Sequence, residues 1–277
     1  MAATDRMRLD ELVLQRGLAP TRSAARGLIM AGLVLVEGQV SDKAGTRLAV
    51  DADVSLKQRP RYVSRAGEKL AHALEVFGVD VRGVSALDVG ASTGGFVDCL
   101  LQEGAERVIA LDVGRGQLAD RLGRDPRVFP LDKTNARHVV AGMLPFVPDL
   151  LTMDVSFISV AKVLPAVVGC MAEQWQGIVL IKPQFEAGPR QVGKGGIVRD
   201  PTVHREVLLG LGRFVIESLD AELTALCASG LPGADGNREF FFHLVRSGEK
   251  GLRLDTLESA VEAIIGPSDA TEAVDET

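Results

Sequence analysis

From residue 84 onward the chain alternates short apolar runs with amphipathic stretches, and this alternation most constrains its fold. Strand-like runs fall at 84–90, 107–113, 128–132, 150–155, 177–182, 222–229 and 239–245, with helical patterns between most of them, as at 94–102, 160–173 and 202–218. Strands separated by helices predict a mostly parallel sheet covered on both faces, because a parallel neighbour needs a long crossover. The last two runs are joined by a Gly/Pro/Asn loop at 230–237, which predicts an antiparallel hairpin closing the sheet. The expected class is α/β, a doubly wound sheet of seven strands. Residues 252–265 predict one amphipathic helix, and 266–277 are small and acidic.

A different pattern precedes this region. Leu9, Leu12, Val13 and Leu14 share a helical face that stops at Arg16-Gly17. Thr21 offers an N-cap to a second helix carrying Ala25, Leu28, Ile29 and Met30, which Gly32 ends. A strand and tight turn at 33–40 and a short strand at 53–56 complete a small α+β unit. The division expected is therefore 1–58 for this unit, 59–65 for a basic linker, 66–250 for the α/β domain, and 251–277 for the C-terminal helix and tail.

The net charge of −6 argues at first against a nucleic-acid partner, but its distribution matters more than its sum. Residues 1–65 hold 11 Lys/Arg against 7 Asp/Glu, residues 66–248 hold 18 against 22, and residues 249–277 hold 2 against 8. The excess of cations thus lies at the N-terminus. Cys99, Cys170 and Cys227 are odd in number and set in apolar segments, so they predict buried free thiols and no metal site. The apolar runs are far too short for a membrane helix, and residues 1–10 lack the apolar core of a secretory signal. The expected compartment is the cytoplasm.

Asp88-Val89-Gly90-Ala91-Ser92-Thr93-Gly94-Gly95-Phe96 follows an apolar run and opens a helix. Such glycines let backbone approach a ligand closely. A dinucleotide site wants G-x-G-x-x-G, whereas the spacing here is G-x-x-x-G-G led by an acid. S-adenosylmethionine carries a carboxylate, an ammonium and a sulfonium but no phosphate. Asp88 suits the ammonium side and the Gly turn the carboxylate. Asp112, ending the next strand, is placed to accept ribose hydroxyls, and Asp132, ending the third, to reach the adenine. The bland alternative is that these acids cap helices or turns on a fold that binds something else.

Lys182 and Asp154 end apolar strands and emerge at the carboxyl edge of the sheet, where this architecture collects ligands. Glu239 opens the last strand, and Lys69 enters from a helix before the first. A lysine near a hydroxyl acts as a base only when its pKa falls well below about 10.4, which burial, a second ammonium and a sulfonium all favour. Singly, each residue has an ordinary alternative. A strand-end Lys snorkels, a strand-end Asp caps a turn, and Glu239 can pair with Arg238 or Lys250.

As a set they resemble the ribose 2′-O-methyltransferases of the FtsJ type, whose catalytic tetrad would here be Lys69, Asp154, Lys182 and Glu239, with Lys182 the base. The resemblance tightens at Val63-Ser64-Arg65-Ala66-Gly67-Glu68-Lys69-Leu70, Thr134-Asn135-Ala136-Arg137, Asp154-Val155-Ser156-Phe157-Ile158-Ser159 and Lys182-Pro183-Gln184-Phe185-Glu186. The first 50 or so residues resemble the alpha-L RNA-binding module of ribosomal protein S-four. Together they are similar to the TlyA family, historically labelled haemolysin A. That resemblance implies a Rossmann-like seven-stranded methyltransferase sheet, S-adenosylmethionine as cofactor, and cytidine 2′-O-methylation of ribosomal RNA within ribosomal subunits. It implies RNA contacts by Arg8, Arg22, Arg26, Arg59, Arg61 and Arg65, cofactor contacts by Asp88, Gly90, Ala91, Ser92, Thr93, Gly94, Gly95, Phe96, Asp112 and Asp132, and a substrate-facing flap at 185–200. Members acting on both subunits carry a basic arm and a basic-x-Trp-Val linker. Here the arm holds Asp5 and the linker reads Arg61-Tyr62-Val63, which favours the large subunit. Two other classes compete. A membrane-lytic protein would need a lipid-seeking helix, yet 252–265 is acidic. A non-catalytic assembly factor would have no use for the complete tetrad.

Overall fold

The computed structural model describes residues 6–57, 60–233, 236–248 and 251–266. Asp5, Arg59, Lys250 and the acidic tail lie outside the described residues. The chain forms two compact units, divided between Pro60 and Arg61.

The first unit begins with β1 (Arg6–Arg8), α1 (Leu9–Gln15) and α2 (Arg22–Met30), followed by β2 (Val34–Val36), β3 (Gln39–Val40), β4 (Arg47–Ala49) and β5 (Val54–Leu56). Thr21 caps α2 by accepting the Ala24 N–H at 3.1 Å. β2 is flanked by β3 and β5, while β1 and β4 form a separate antiparallel pair that hydrophobic patterning does not reveal. Leu9, Leu12, Val13, Ala25, Ile29, Val34 and Val54 make its core.

In the second unit α3 (Arg65–Phe77) leads into β6 (Ser85–Val89), α4 (Gly95–Gln102), β7 (Arg107–Leu111), α5 (Asp120–Gly123), β8 (Val128–Leu131), β9 (Leu150–Met153), α6 (Leu164–Val168) and β10 (Trp175–Ile181). Then come α7 (Pro183–Glu186), α8 (Pro201–Ser218), β11 (Glu222–Ala228), β12 (Phe240–Arg246) and α9 (Leu254–Ile265). The seven expected strands form one sheet in the order β11-β12-β10-β9-β6-β7-β8. β12 runs antiparallel between β10 and β11, so the closing strand is inserted rather than added at the edge. Alternate strand residues serve opposite layers. Leu87, Ile109, Leu151, Val179, Phe240 and Phe242 pack on one side, and Ala86, Val108, Leu150, Ile178, Leu180 and Phe241 on the other.

Two local expectations change. The helix expected over 160–173 shrinks to a 3-10 turn and the five residues of α6, with Pro165 in its first turn and Gly169 at its end. Residues 61–65 belong to the second unit rather than to a linker. Tyr62 is 2% exposed, and its ring fills the space that a Cβ on Gly67 would occupy, 2.4 Å from Tyr62 Cγ. The amphipathic helix α9 spends its apolar face internally: Leu257 sits against Gly212 of α8, and Arg205 and Arg213 of α8 pair with Glu262 and Glu258.

Candidate active site

The glycine turn begins where β6 ends. Gly90 has φ +87°, and a Cβ there would lie 2.3 Å from the Asp154 carbonyl oxygen, so only glycine lets β6 and β9 close together at this edge. Just upstream, Asp88 is 1% exposed. Its Oδ1 accepts the Thr152 hydroxyl at 2.7 Å, while its Oδ2 is buried with no hydrogen-bond partner among the described residues. Burial, with the nearby Asp154 and Asp112 carboxylates adding to it, pushes the Asp88 carboxyl up to about 8. A buried, orphaned carboxylate oxygen in an acidic neighbourhood calls for a cation.

Two cavities meet at this turn. One, of about 250 Å³, is lined by Ser64, Ala66, Asp88, Thr93, Gly95 and Phe96. The other, of about 500 Å³, is walled by Leu111, Val113, Ala136, Val155, Ile158 and Val163, with Asp112 and Asn135 as polar groups. Gly90, Ser92 and Asp154 border both. Asp112 accepts N–H bonds from Ser92 at 2.8 Å and Gly114 at 2.7 Å, which fixes its carboxylate at the mouth of the larger cavity. Asp132, expected to reach the adenine, is held by a nearby loop. Its Oδ2 accepts the Gly116 N–H at 2.9 Å, and it is not among the residues that line the cavity. Ala136, Val155 and Ile158 form part of the apolar wall of that cavity. Those residues stand inside the motifs at 134–137 and 154–159, but their share of the cavity had no signal in residue type alone. At the rim Phe157 is 89% exposed with φ +64°, its ring 4.8 Å from that of Phe185.

The four residues expected to form the tetrad collect at one edge of the sheet as two ion pairs. Ile181 and Phe240 are register partners, so Lys182 and Glu239 follow as neighbours where β10 leaves the sheet and β12 enters it. Lys182 Nζ pairs with Asp154 Oδ1 and donates to Ser156 Oγ at 2.9 Å. Lys69 Nζ reaches Glu239 Oε2 at 2.6 Å, with both residues buried. Gln184, a residue with no assigned role in the sequence reading, donates to Glu239 Oε1 at 3.3 Å. Lys69 is thus occupied by Glu239, and Lys182 is held by Asp154 and Ser156. Burial of both members of the first pair makes it intolerant of losing either one. The flap is anchored near this edge, since Asn237 takes the Val198 N–H at 3.0 Å and gives its amide to Gly196 O at 3.0 Å. Glu186, at the flap's root, accepts the Val160 N–H at 2.7 Å.

The arginines expected to meet RNA are placed as follows. Arg8, Arg22 and Arg26 converge on Asp10 in the first unit. Arg61 pairs with Glu103 at 2.6 Å and lies over the Tyr62 ring, so it is tied to the second unit. Arg65 is exposed at the start of α3 and has no ion-pair partner among the described residues.

Residues 62–246 match the FtsJ-like methyltransferase family, and residues 7–54 match the S4 domain family. The chain is similar to a 16S/23S rRNA (cytidine-2′-O)-methyltransferase TlyA of Mycobacterium tuberculosis, at 42% identity over 94% of this chain and 97% of the relative. It is 41% identical to Hemolysin A of Brachyspira hyodysenteriae, over 86% of this chain and all (100%) of that one. Among solved structures, a protein from Streptococcus thermophilus provisionally described as a hemolysin superposes with a TM-score of 0.70 and 37% identity, covering 94% of this chain and 96% of that one.

Proposed function

Because this chain belongs to the TlyA family of FtsJ-like methyltransferases, we propose that it methylates the ribose 2′-hydroxyl of a cytidine in ribosomal RNA, with S-adenosylmethionine as donor. The observation that carries the reading is the position of the Lys182–Asp154 pair. Asp154 borders both cavities, and its backbone carbonyl closes against Gly90 of the glycine turn. A lysine nitrogen, able to take a proton in its neutral form, therefore stands where the cofactor turn and the strand edge meet.

The residues present fit the cofactor. The orphaned Asp88 Oδ2 suits its ammonium, the backbone from Gly90 to Gly95 its carboxylate, Asp112 its ribose, and the apolar wall its adenine. When bound, S-adenosylmethionine supplies a methyl group on a positively charged sulfur, open to displacement by an oxygen nucleophile. The protein's own task is to make the ribose hydroxyl that nucleophile. Lys182 first gives up its ammonium proton to solvent, and the neutral Nζ then takes the hydroxyl proton, while Asp154 with Ser156 keeps that nitrogen aimed. The Lys69–Glu239 pair, steadied by Gln184, supports the same edge of the sheet. The basic first unit captures the RNA, and the exposed Arg65 is a further cation expected to meet it. The enzyme acts in the cytoplasm. The large ribosomal subunit is the favoured substrate, because Tyr62 stands before Val63 where the linker of members acting on both carries Trp.

Single-turnover methyl transfer to unmodified ribosomal subunits tests the assignment. Lys182→Ala is expected to lose roughly 100-fold or more in rate, the usual range for a general base, while S-adenosylmethionine affinity stays within a few-fold. Near-normal turnover by Lys182→Ala overturns the choice of base.

A further inference from the structure

Asp10 is a singular residue of the first unit. It sits in the first turn of α1, is 0% exposed, and collects three guanidinium groups. Arg8 gives it Nε at 2.9 Å and Nη2 at 3.2 Å, Arg22 gives Nε at 3.0 Å, and Arg26 gives Nε at 2.9 Å. These arginines come from different elements. Arg8 ends β1, while Arg22 and Arg26 stand one turn apart on α2. Arg22, at the first position of α2, also meets Glu11 at 2.9 Å. The three cations repel one another, and Arg22 opposes the dipole of its own helix. The carboxylate beneath them offsets both costs, and the Arg8 bond above all holds its proton affinity far below the usual carboxylate range.

The guanidiniums are not used up by this arrangement. Their side chains are 35%, 43% and 53% exposed for Arg8, Arg22 and Arg26. Nη1 of Arg8, Nη1 of Arg22 and both Nη atoms of Arg26 make no protein hydrogen bond among the described residues. Each guanidinium is gripped mainly at its Nε side, leaving its remaining N–H groups on a part-exposed surface. A planar fork fixed in this way is set for a phosphate oxygen before contact, so less side-chain freedom is lost on binding.

Resting on the reading that the first unit binds RNA, we propose that Asp10 is the positioning residue of a preformed three-arginine clamp for RNA backbone phosphates. It acts through the arginines and does not touch the RNA. This makes a prediction opposite in sign to charge counting. Neutralising a carboxylate raises the net positive charge of the unit, which by long-range attraction alone tightens RNA binding. The clamp requires the reverse.

The test measures binding of the full-length protein to a labelled RNA hairpin and to unmodified large ribosomal subunits across a salt series. Asp10→Asn is expected to weaken binding roughly tenfold, about the worth of a lost fixed contact, and to reduce the salt slope by about one. S-adenosylmethionine affinity and the melting of the second unit are expected to stay unchanged. Unchanged or tighter RNA binding by Asp10→Asn overturns the proposal. Should this variant unfold the first unit, the charge-conserving Arg22→Lys/Arg26→Lys protein decides. Every cation is kept but the Nε grips are gone, so weaker binding supports the clamp and wild-type binding refutes it. If the wild-type protein binds neither RNA with a salt-dependent affinity, the underlying RNA-binding reading fails first. Wild-type binding with unaffected variants removes the clamp alone.

Discussion

Asp88 links the cofactor to a proton. Its folded-state pKa near 8 lies some four units above that of a free aspartate, and burial is the first cause. The sign follows from linkage. The folded apoprotein holds a proton that the unfolded chain releases near pH 4, so the associated stability is present below that pH. It is lost as pH rises toward 8, by on the order of 5 kcal/mol at most. A cationic ammonium at the orphaned Oδ2 demands the ionised form. At pH 7 roughly one molecule in ten is ionised before binding, so the cofactor must expel a proton, and its affinity should rise about tenfold per pH unit. Above about pH 8 the cofactor's own α-ammonium begins to deprotonate and affinity falls again. The informative window is therefore pH 6–7. Calorimetry in two buffers of different ionisation heat should there find close to one proton released per S-adenosylmethionine bound. Asp88→Asn should bind more weakly and release none. A pH-independent affinity with no proton release refutes the argument, as does an Asp88→Asn protein that keeps the wild-type profile.

Other perturbations follow from the same geometry. Gly90→Ala places a methyl against the Asp154 carbonyl in a left-handed backbone, and should cost about 2–4 kcal/mol in chemical denaturation and abolish measurable cofactor binding. Lys69→Met strands the buried Glu239 carboxylate and should destabilise the protein by about 3–5 kcal/mol. The Lys69→Met/Glu239→Leu protein should recover most of that stability in thermal melts without recovering methylation. Asn237→Ala unfastens the flap from two backbone partners, so limited proteolysis should cut residues 187–197 faster while cofactor affinity holds. A cleavage rate equal to wild type would mean that the flap is held by other contacts.

The seven strands were legible because each is an apolar run bounded by turn residues, and their alternation with helices leaves few sheets to choose from. β1 and β4 were not, since Arg-Met-Arg and Arg-Leu-Ala are too short to show a period. The strand-end acids were visible as acids, but their work depends on neighbours distant in sequence. Asp132 is spent on the Gly116 N–H, whereas Asp88 is left with a bare oxygen. Nor does sequence order say which lysine takes which carboxylate. Lys69 and Glu239 stand 170 residues apart and meet because α3 passes the edge where β12 begins. The same limit hid Asp10, which looks like an ordinary first-turn acid until the fold brings Arg8, Arg22 and Arg26 onto it.

The central claim is a methyl group on a ribose oxygen, and one measurement reaches it directly. Unmodified ribosomal subunits are incubated with the enzyme and methyl-labelled S-adenosylmethionine, and the RNA is digested to nucleosides for mass spectrometry. Label is expected in 2′-O-methylcytidine, from the large subunit foremost, appearing roughly 100-fold or more slowly with Lys182→Ala. Label on a base carbon or nitrogen, or on no nucleoside at all, contradicts it.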